Sequence, residues 1–188
     1  MISKLFSYIS SMRFIPHLIV YYLSPSSRRA ILDYERDRWL TKNRIDKKGI
    51  RGFLLLLNCF PEYRTLFYLR THAPWLSFFA KGQTNLYFHT FEEKIGKGLV
   101  IWHGFSTIIN AQSIGEDCEI WQNVTIGKKT TGDVDDRPII GSSVRLCTGA
   151  IVVGDITIGN NATIAAGAVV IRNVSEFKTA VGVPAVEK

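Results

Sequence analysis

The stretch whose reading decides the fold is IGSSVRLCTGAIVVGDITIGNNATIAAGAVV, residues 140–170. Aliphatic residues fall at Ile140, Leu146, Val152, Ile158, Ile164 and Val170, every sixth position. Four residues after most of them comes a small or β-branched side chain: Val144, Ala150, Ala162, Ala168 and Val174. An amphipathic helix would space its apolar residues by three and four, and the stretch is rich in Gly, Val, Ile, Thr and Asn. A period of six predicts a short strand and a corner, repeated. The aliphatic residue points into a narrow interior with the smaller one beside it.

Upstream the same spacing runs through Ile126, Ile120, Ile114 and Ile108, with Val124 and Cys118 as the smaller partners. Before it stand Ile101 and Ile95, with one extra residue between Ile101 and Ile108. Twelve repeats at three strands per turn predict about four triangular coils over residues 95–188. Gly96, Gly115, Gly127, Gly141 and Gly159 follow the aliphatic position, and are expected to supply corner backbone angles that other residues resist. Fourteen residues replace six between Ile126 and Ile140. The polar segment KKTTGDVDDRP, residues 128–138, is expected to leave the coil as an exposed loop.

Residues 1–94 read differently, as an α-helical region preceding the β domain. A helix is expected from Ser27 to Leu40, with Ser26 or Ser27 as cap and Ile31, Tyr34 and Arg38 along one face. Gly52 to Leu57 and Tyr63 to His72 predict two more, with Pro61 as starter and Pro74 as stop. In the Met1 to Leu23 stretch, the apolar run from Phe14 to Leu23 is broken by Pro16 and His17. It falls short of the ~20 residues of a membrane span, and no small-residue cleavage site follows.

The formal charge is +7, carried by the front: residues 1–94 hold 15 Lys+Arg against 7 Asp+Glu, residues 95–188 hold 8 against 9. The front also has 18 of the 22 aromatic residues, so residues 1–94 are either a helical cap with solvated cations or a surface for peripheral membrane contact. Nucleic acid is not expected as a partner. Cys59, Cys118 and Cys147 are too few and too scattered for a disulfide framework or a zinc site, and no metal is expected. A cytoplasmic location follows, with the inner membrane face as the alternative setting.

The segments Ile158-Gly-Asn-Asn-Ala-Thr and Ile164-Ala-Ala-Gly-Ala-Val, with the closing Gly182-Val-Pro-Ala185, resemble the hexapeptide-repeat acyltransferases. The likeness is greatest to serine acetyltransferases and to relatives that O-acetylate bacterial surface polysaccharides. It implies a left-handed parallel β-helix, a homotrimer or a multiple of one, and acetyl-CoA in a groove between neighbouring subunits. It also implies that the extruded loop reaches over the site of an adjacent subunit.

Acetyl transfer to an alcohol needs a base, and His suits neutral pH. Of four histidines only His103 lies within the coil, in Leu99-Val-Ile-Trp-His-Gly104, which resembles the family's catalytic segment after the repeat Lys94 to Gly98. The resemblance places Thr148, Gly149, Ala166 and Gly167 along the acetyl-CoA groove, and Lys128, Lys129, Arg172 and Lys188 are candidates for the CoA phosphates. Serine acetyltransferases carry an Asp orienting the His where this chain has Phe88, a second His where it has Arg137, and often an acidic residue where it has Trp102. Asn110, Asp135 and Asp136 remain as candidate partners of His103, and Trp102 and Arg137 as acceptor contacts. These departures favour a sugar hydroxyl as acceptor. The alternatives are serine O-acetyltransferase and a non-catalytic β-helix scaffold.

Overall fold

The six-residue period winds the chain around three parallel sheet faces. Face one stacks β1 (Leu86–Phe88), β3 (Thr107–Ile109), β6 (Thr125–Gly127), β9 (Ile151–Val153) and β12 (Val169–Val170). Face two stacks β4 (Ser113–Ile114), β7 (Ile139–Ile140) and β10 (Thr157–Ile158), extended by single bridges from Ile95 and Val174. Face three stacks β2 (Val100–Trp102), β5 (Glu119–Trp121), β8 (Arg145–Leu146), β11 (Thr163–Ile164) and β13 (Thr179–Gly182). A final strand, β14 (Ala185–Glu187), turns back antiparallel on β13 and closes that face. The computed structural model describes residues 12–130 and 135–188, so residues 1–11 of the Met1 to Leu23 stretch and the middle of the extruded loop lie outside it.

Register explains the core. Ile101, Ile120, Leu146 and Ile164 stand over one another on face three, and Ile109, Ile126, Val152 and Val170 on face one. All are at most 1% exposed, as are the smaller Cys118, Val124, Val144, Ala150, Ala162 and Ala168. Each such aliphatic contributes roughly 1.5–3 kcal/mol by leaving water.

Two expectations are corrected. Ile108 points outward at 38% exposure, and Ile109 is the core residue. The corner after Ile101 is therefore longer by two residues than a regular one, and the step from Ile109 to Ile114 is one shorter. Nor do the repeat glycines serve corner angles. Gly96, Gly115, Gly141 and Gly159 do not have positive φ. A Cβ on any of them would come within 2.5–2.9 Å of backbone in the next coil. They are glycines because coils touch there. The left-handed corner angles fall instead on residues such as Asp117, Asn123, Ser143 and Asn161.

The two compact units are Met1–Thr84 and Asn85–Lys188, dividing ten residues before the 94/95 boundary that the periodicity suggests. The difference is β1, a strand within the expected helical region, paired through Phe88 with Ile109.

The first unit contains α1 (Ile15–Leu23), α2 (Ser26–Lys42), α3 (Gly49–Cys59), α4 (Pro61–Thr71) and a short 3-10 turn at Pro74–Phe78. Pro16 sits in the first turn of α1, where its missing N–H costs nothing, so it starts a helix where an interruption was expected. On α2 no Ser caps the start. The N-cap is Pro25, and the buried face is Leu32, Glu35 and Trp39, with Tyr34 exposed. Phe14, Phe53, Tyr63, Leu66 and Phe67 complete an aromatic core. Within it the Arg70 guanidinium grips Glu35 at 2.7 Å, both side chains at most 2% exposed. Removing one partner of such a pair costs about 3–5 kcal/mol. Among the described residues, no helix is long and apolar enough to cross a membrane.

Candidate active site

His103 occupies the enlarged corner between faces three and one. Its φ of 55° is left-handed, and Ser106 at the far side of the corner repeats that angle at 52°. Three residues, His103, Gly104 and Phe105, stand where the next coil has Gln122 alone. That follows from the pairing of Trp102 with Trp121 and of Ile109 with Ile126. The extra length pushes the imidazole out to solvent, and it has no hydrogen-bond partner among the described residues.

Below His103 the corner residues form a column. Gly149 N–H donates to the Gln122 carbonyl at 3.0 Å, and Gly167 N–H to the Thr148 carbonyl at 2.9 Å. Gly149 and Gly167 have φ of 70° and 68°, and a Cβ added at Gly167 would meet nothing within 4 Å. Thr148 and Gly149 are half-buried, Ala166 and Gly167 exposed, so the column is a shallow edge of small residues leading to His103. An extended, mostly apolar thiol arm suits such an edge.

Beside the column, on the outer side of face three, the Trp102 and Trp121 rings stack with centroids 6.0 Å apart. The Trp102 indole N–H donates to Glu119 Oε2 at 2.9 Å, which fixes the ring's tilt. Gln122 carries a buried Oε1 with no partner, one coil along from His103. Trp121, Glu119 and Gln122 were not singled out in the sequence. The signal was present for Trp121, which follows Ile120 as Trp102 follows Ile101, so the repeat alone puts the two rings on one face.

The remaining site candidates lie elsewhere in the same chain. Asn110 follows β3, and Lys128, Lys129, Asp135, Asp136 and Arg137 belong to the loop that leaves after β6. Arg172 follows β12. All stand at the end of face one away from His103, so Asn110, Asp135 and Asp136 are not brought to its ring within one chain. Lys188 pairs through its backbone with Thr179 at the edge of face three.

Two of the acids are also engaged. Arg137 holds Asp135 in a two-pronged pair at 2.6 and 2.8 Å, which keeps that carboxyl below its usual range and raises the guanidinium. Asp136 Oδ2 accepts the Thr130 hydroxyl and the N–H groups of Lys129 and Thr130, which lowers its pKa and ties the loop's two stems together. Burial pushes the Cys147 thiol up, so it is protonated at neutral pH and a poor nucleophile.

The family description "Bacterial transferase hexapeptide (six repeats)" matches residues 137–172. The coil is thus a hexapeptide-repeat parallel β-helix, and the chain is similar to serine acetyltransferases. A putative serine acetyltransferase of Schizosaccharomyces pombe is 40% identical over 92 residues, covering 48% of this chain and 34% of the relative. The serine acetyltransferase of Synechococcus elongatus is 33% identical over 147 residues, 71% of this chain and 59% of the relative. The chain thus spans between a third and three fifths of the length of these relatives. A solved serine acetyltransferase in complex with CoA superposes with a TM-score of 0.66 at 21% identity, covering 97% of this chain and 83% of that one. This likeness is one of fold. It gives the hexapeptide-repeat coil the left-handed sense that its period alone left open.

Proposed function

We propose that the chain is an acetyl-CoA-dependent O-acetyltransferase in which His103 removes the proton of an acceptor hydroxyl. The observation that carries this is the enlarged corner. It holds the one histidine of the six-residue repeats outward at the head of an open column of small residues. As the acceptor oxygen attacks the thioester carbonyl, its proton passes to the His103 imidazole and the carbon–sulfur bond breaks, so that CoA leaves as the thiol after taking that proton back. No enzyme-bound acyl group is needed, and the protonated Cys147 argues against one. The column Thr148, Gly149, Ala166 and Gly167 would hold the pantetheine arm, with a backbone N–H facing the developing oxyanion. Lys128, Lys129, Arg172 and Lys188 would reach the CoA phosphates. The first three stand at the other end of face one, which fits a groove shared between subunits of a trimer.

The relatives' names favour L-serine as acceptor over a polysaccharide sugar, which corrects the order in which the sequence alone ranks them. One observation keeps a sugar hydroxyl as second reading: two stacked tryptophans flank the His103 corner, a surface on which a pyranose ring packs well. Measuring CoA release with acetyl-CoA and a panel of L-serine and sugar acceptors decides between them. Fastest turnover with serine supports the first reading and fastest turnover with a sugar the second. Absence of acetyl-CoA binding by calorimetry would leave a non-catalytic scaffold.

A further inference from the structure

The outward side of α1 is apolar, although the helix already buries its other side. Phe14, His17 and Tyr21 turn inward, while Ile15, Ile19, Tyr22 and Leu23 are 47–79% exposed. Positions 15, 19 and 22 recur at four and three, so they make one stripe along the helix, where a surface helix ordinarily carries polar groups.

The stripe is framed by cations. Arg13 precedes the helix, its guanidinium over the Phe14 ring and donating to Asn58 Oδ1 at 2.8 Å, and Arg28 and Arg29 open α2, with the Arg29 guanidinium donating to the Tyr22 carbonyl at 3.3 Å. No acidic residue occurs from Met12 to Leu32, and residues 1–84 hold 14 Lys+Arg against 5 Asp+Glu. An apolar stripe with an aromatic at one end and cations at both matches an anionic bilayer interface. Aliphatic groups there pass below the headgroups, while guanidiniums stay with the phosphates. A second copy of the same stripe matches less well, because two antiparallel α1 helices would bring Arg13 of each toward Arg28 and Arg29 of the other.

We propose that the outward face of α1, through Ile15, Ile19, Tyr22 and Leu23, inserts into the headgroup region of an anionic membrane and holds the chain there peripherally. The contact lies along the surface and crosses nothing. It is independent of the acetyl-transfer reading, since it uses none of the coil residues.

Co-sedimentation of the full chain tests it, with vesicles of phosphatidylcholine alone and with about one third phosphatidylserine. The expected result is pelleting with the anionic vesicles at low salt, weaker pelleting with the neutral ones, and release as salt rises. The triple variant Ile15→Ser/Ile19→Ser/Leu23→Ser should lower the bound fraction at least about tenfold, since three exposed aliphatics lose their insertion. Arg28→Glu, which removes no apolar contact, should weaken anionic binding several-fold and keeps the test valid if the triple variant does not fold. Any of four results would overturn the proposal. One is unchanged pelleting of both variants, and a second is no pelleting of the wild type. Another is loss of binding with Trp75→Ser/Phe78→Ser alone. The last is a drop in the vesicle-free sedimentation mass of the triple variant, which would show that the stripe is covered by another copy.

Discussion

Trp102 and Trp121 stack across adjacent coils with ring planes 29° from parallel, immediately beside the corner that carries His103. Under the proposed function the pair would extend the surface an acceptor meets, and Glu119 accepts the indole N–H of its first ring. Aromatic contacts of this kind contribute about 0.5–1.5 kcal/mol beyond their area. Replacing Trp121 by Ala should therefore raise the acceptor KM by up to ~10-fold and leave the Kd for acetyl-CoA unchanged. Equal KM values for both proteins would separate the pair from acceptor binding.

For His103, replacement by Ala should lower kcat by roughly two to four orders of magnitude, the scale of a general base, with acetyl-CoA affinity preserved. Stopped assays of CoA release together with calorimetry check both halves. Near-normal turnover would remove His103 from the chemistry.

Coil contact at the glycine column predicts a contrast. A Cβ at position 115 would stand 2.5 Å from Ser142 N and 2.6 Å from Gly141 C, both backbone atoms with no freedom to rotate away. Gly115→Ala should cost about 1–3 kcal/mol in urea unfolding. Gly127→Ala, whose Cβ would meet nothing within 4 Å, should stay within ~0.5 kcal/mol of wild type. Similar midpoints for the two would mean that the coils are not in contact at this column.

His17 predicts an acid sensitivity of the helical unit. Its Nε2 lies 3.0 Å from the Tyr68 hydroxyl, whose own proton goes to the Ala80 carbonyl, so Nε2 carries the hydrogen and Nδ1 is left buried without a partner. Burial first, then Arg64 and Arg13, lowers its pKa from 6.5 to about 4. A base whose folded pKa is depressed binds its proton more readily when unfolded. Its contribution is therefore complete above about pH 6.5, falls as pH drops toward 4, and changes no further below that. The loss is at most ~3 kcal/mol. Thermal unfolding between pH 7 and 4 should show a decline for wild type that is flatter for His17→Gln; parallel curves would assign the acid sensitivity to another group.

The six-residue period determined the coil, its three faces and nearly all of its core, because a strand-and-corner repeat leaves one inward position per strand and only aliphatic residues tolerate it. The sequence also singled out His103, the one histidine in the repeats, and the extruded loop, since neither depends on distant contacts. Its limits were those of position. The shift of the core from Ile108 to Ile109 rests on the pairing of β3 with β1 and β6, and a strand's register is fixed by its partners. The role of the repeat glycines is likewise decided by what the next coil brings within 3 Å, which no local propensity records. In the helical front, the burial of Glu35 against Arg70, thirty-five residues apart, and the apolar outer stripe of α1 emerge only when helices have chosen their packing faces. Periodic structure is written locally and can be read from the chain. Which ring lies beside which, and which face stays bare, are properties of elements already packed.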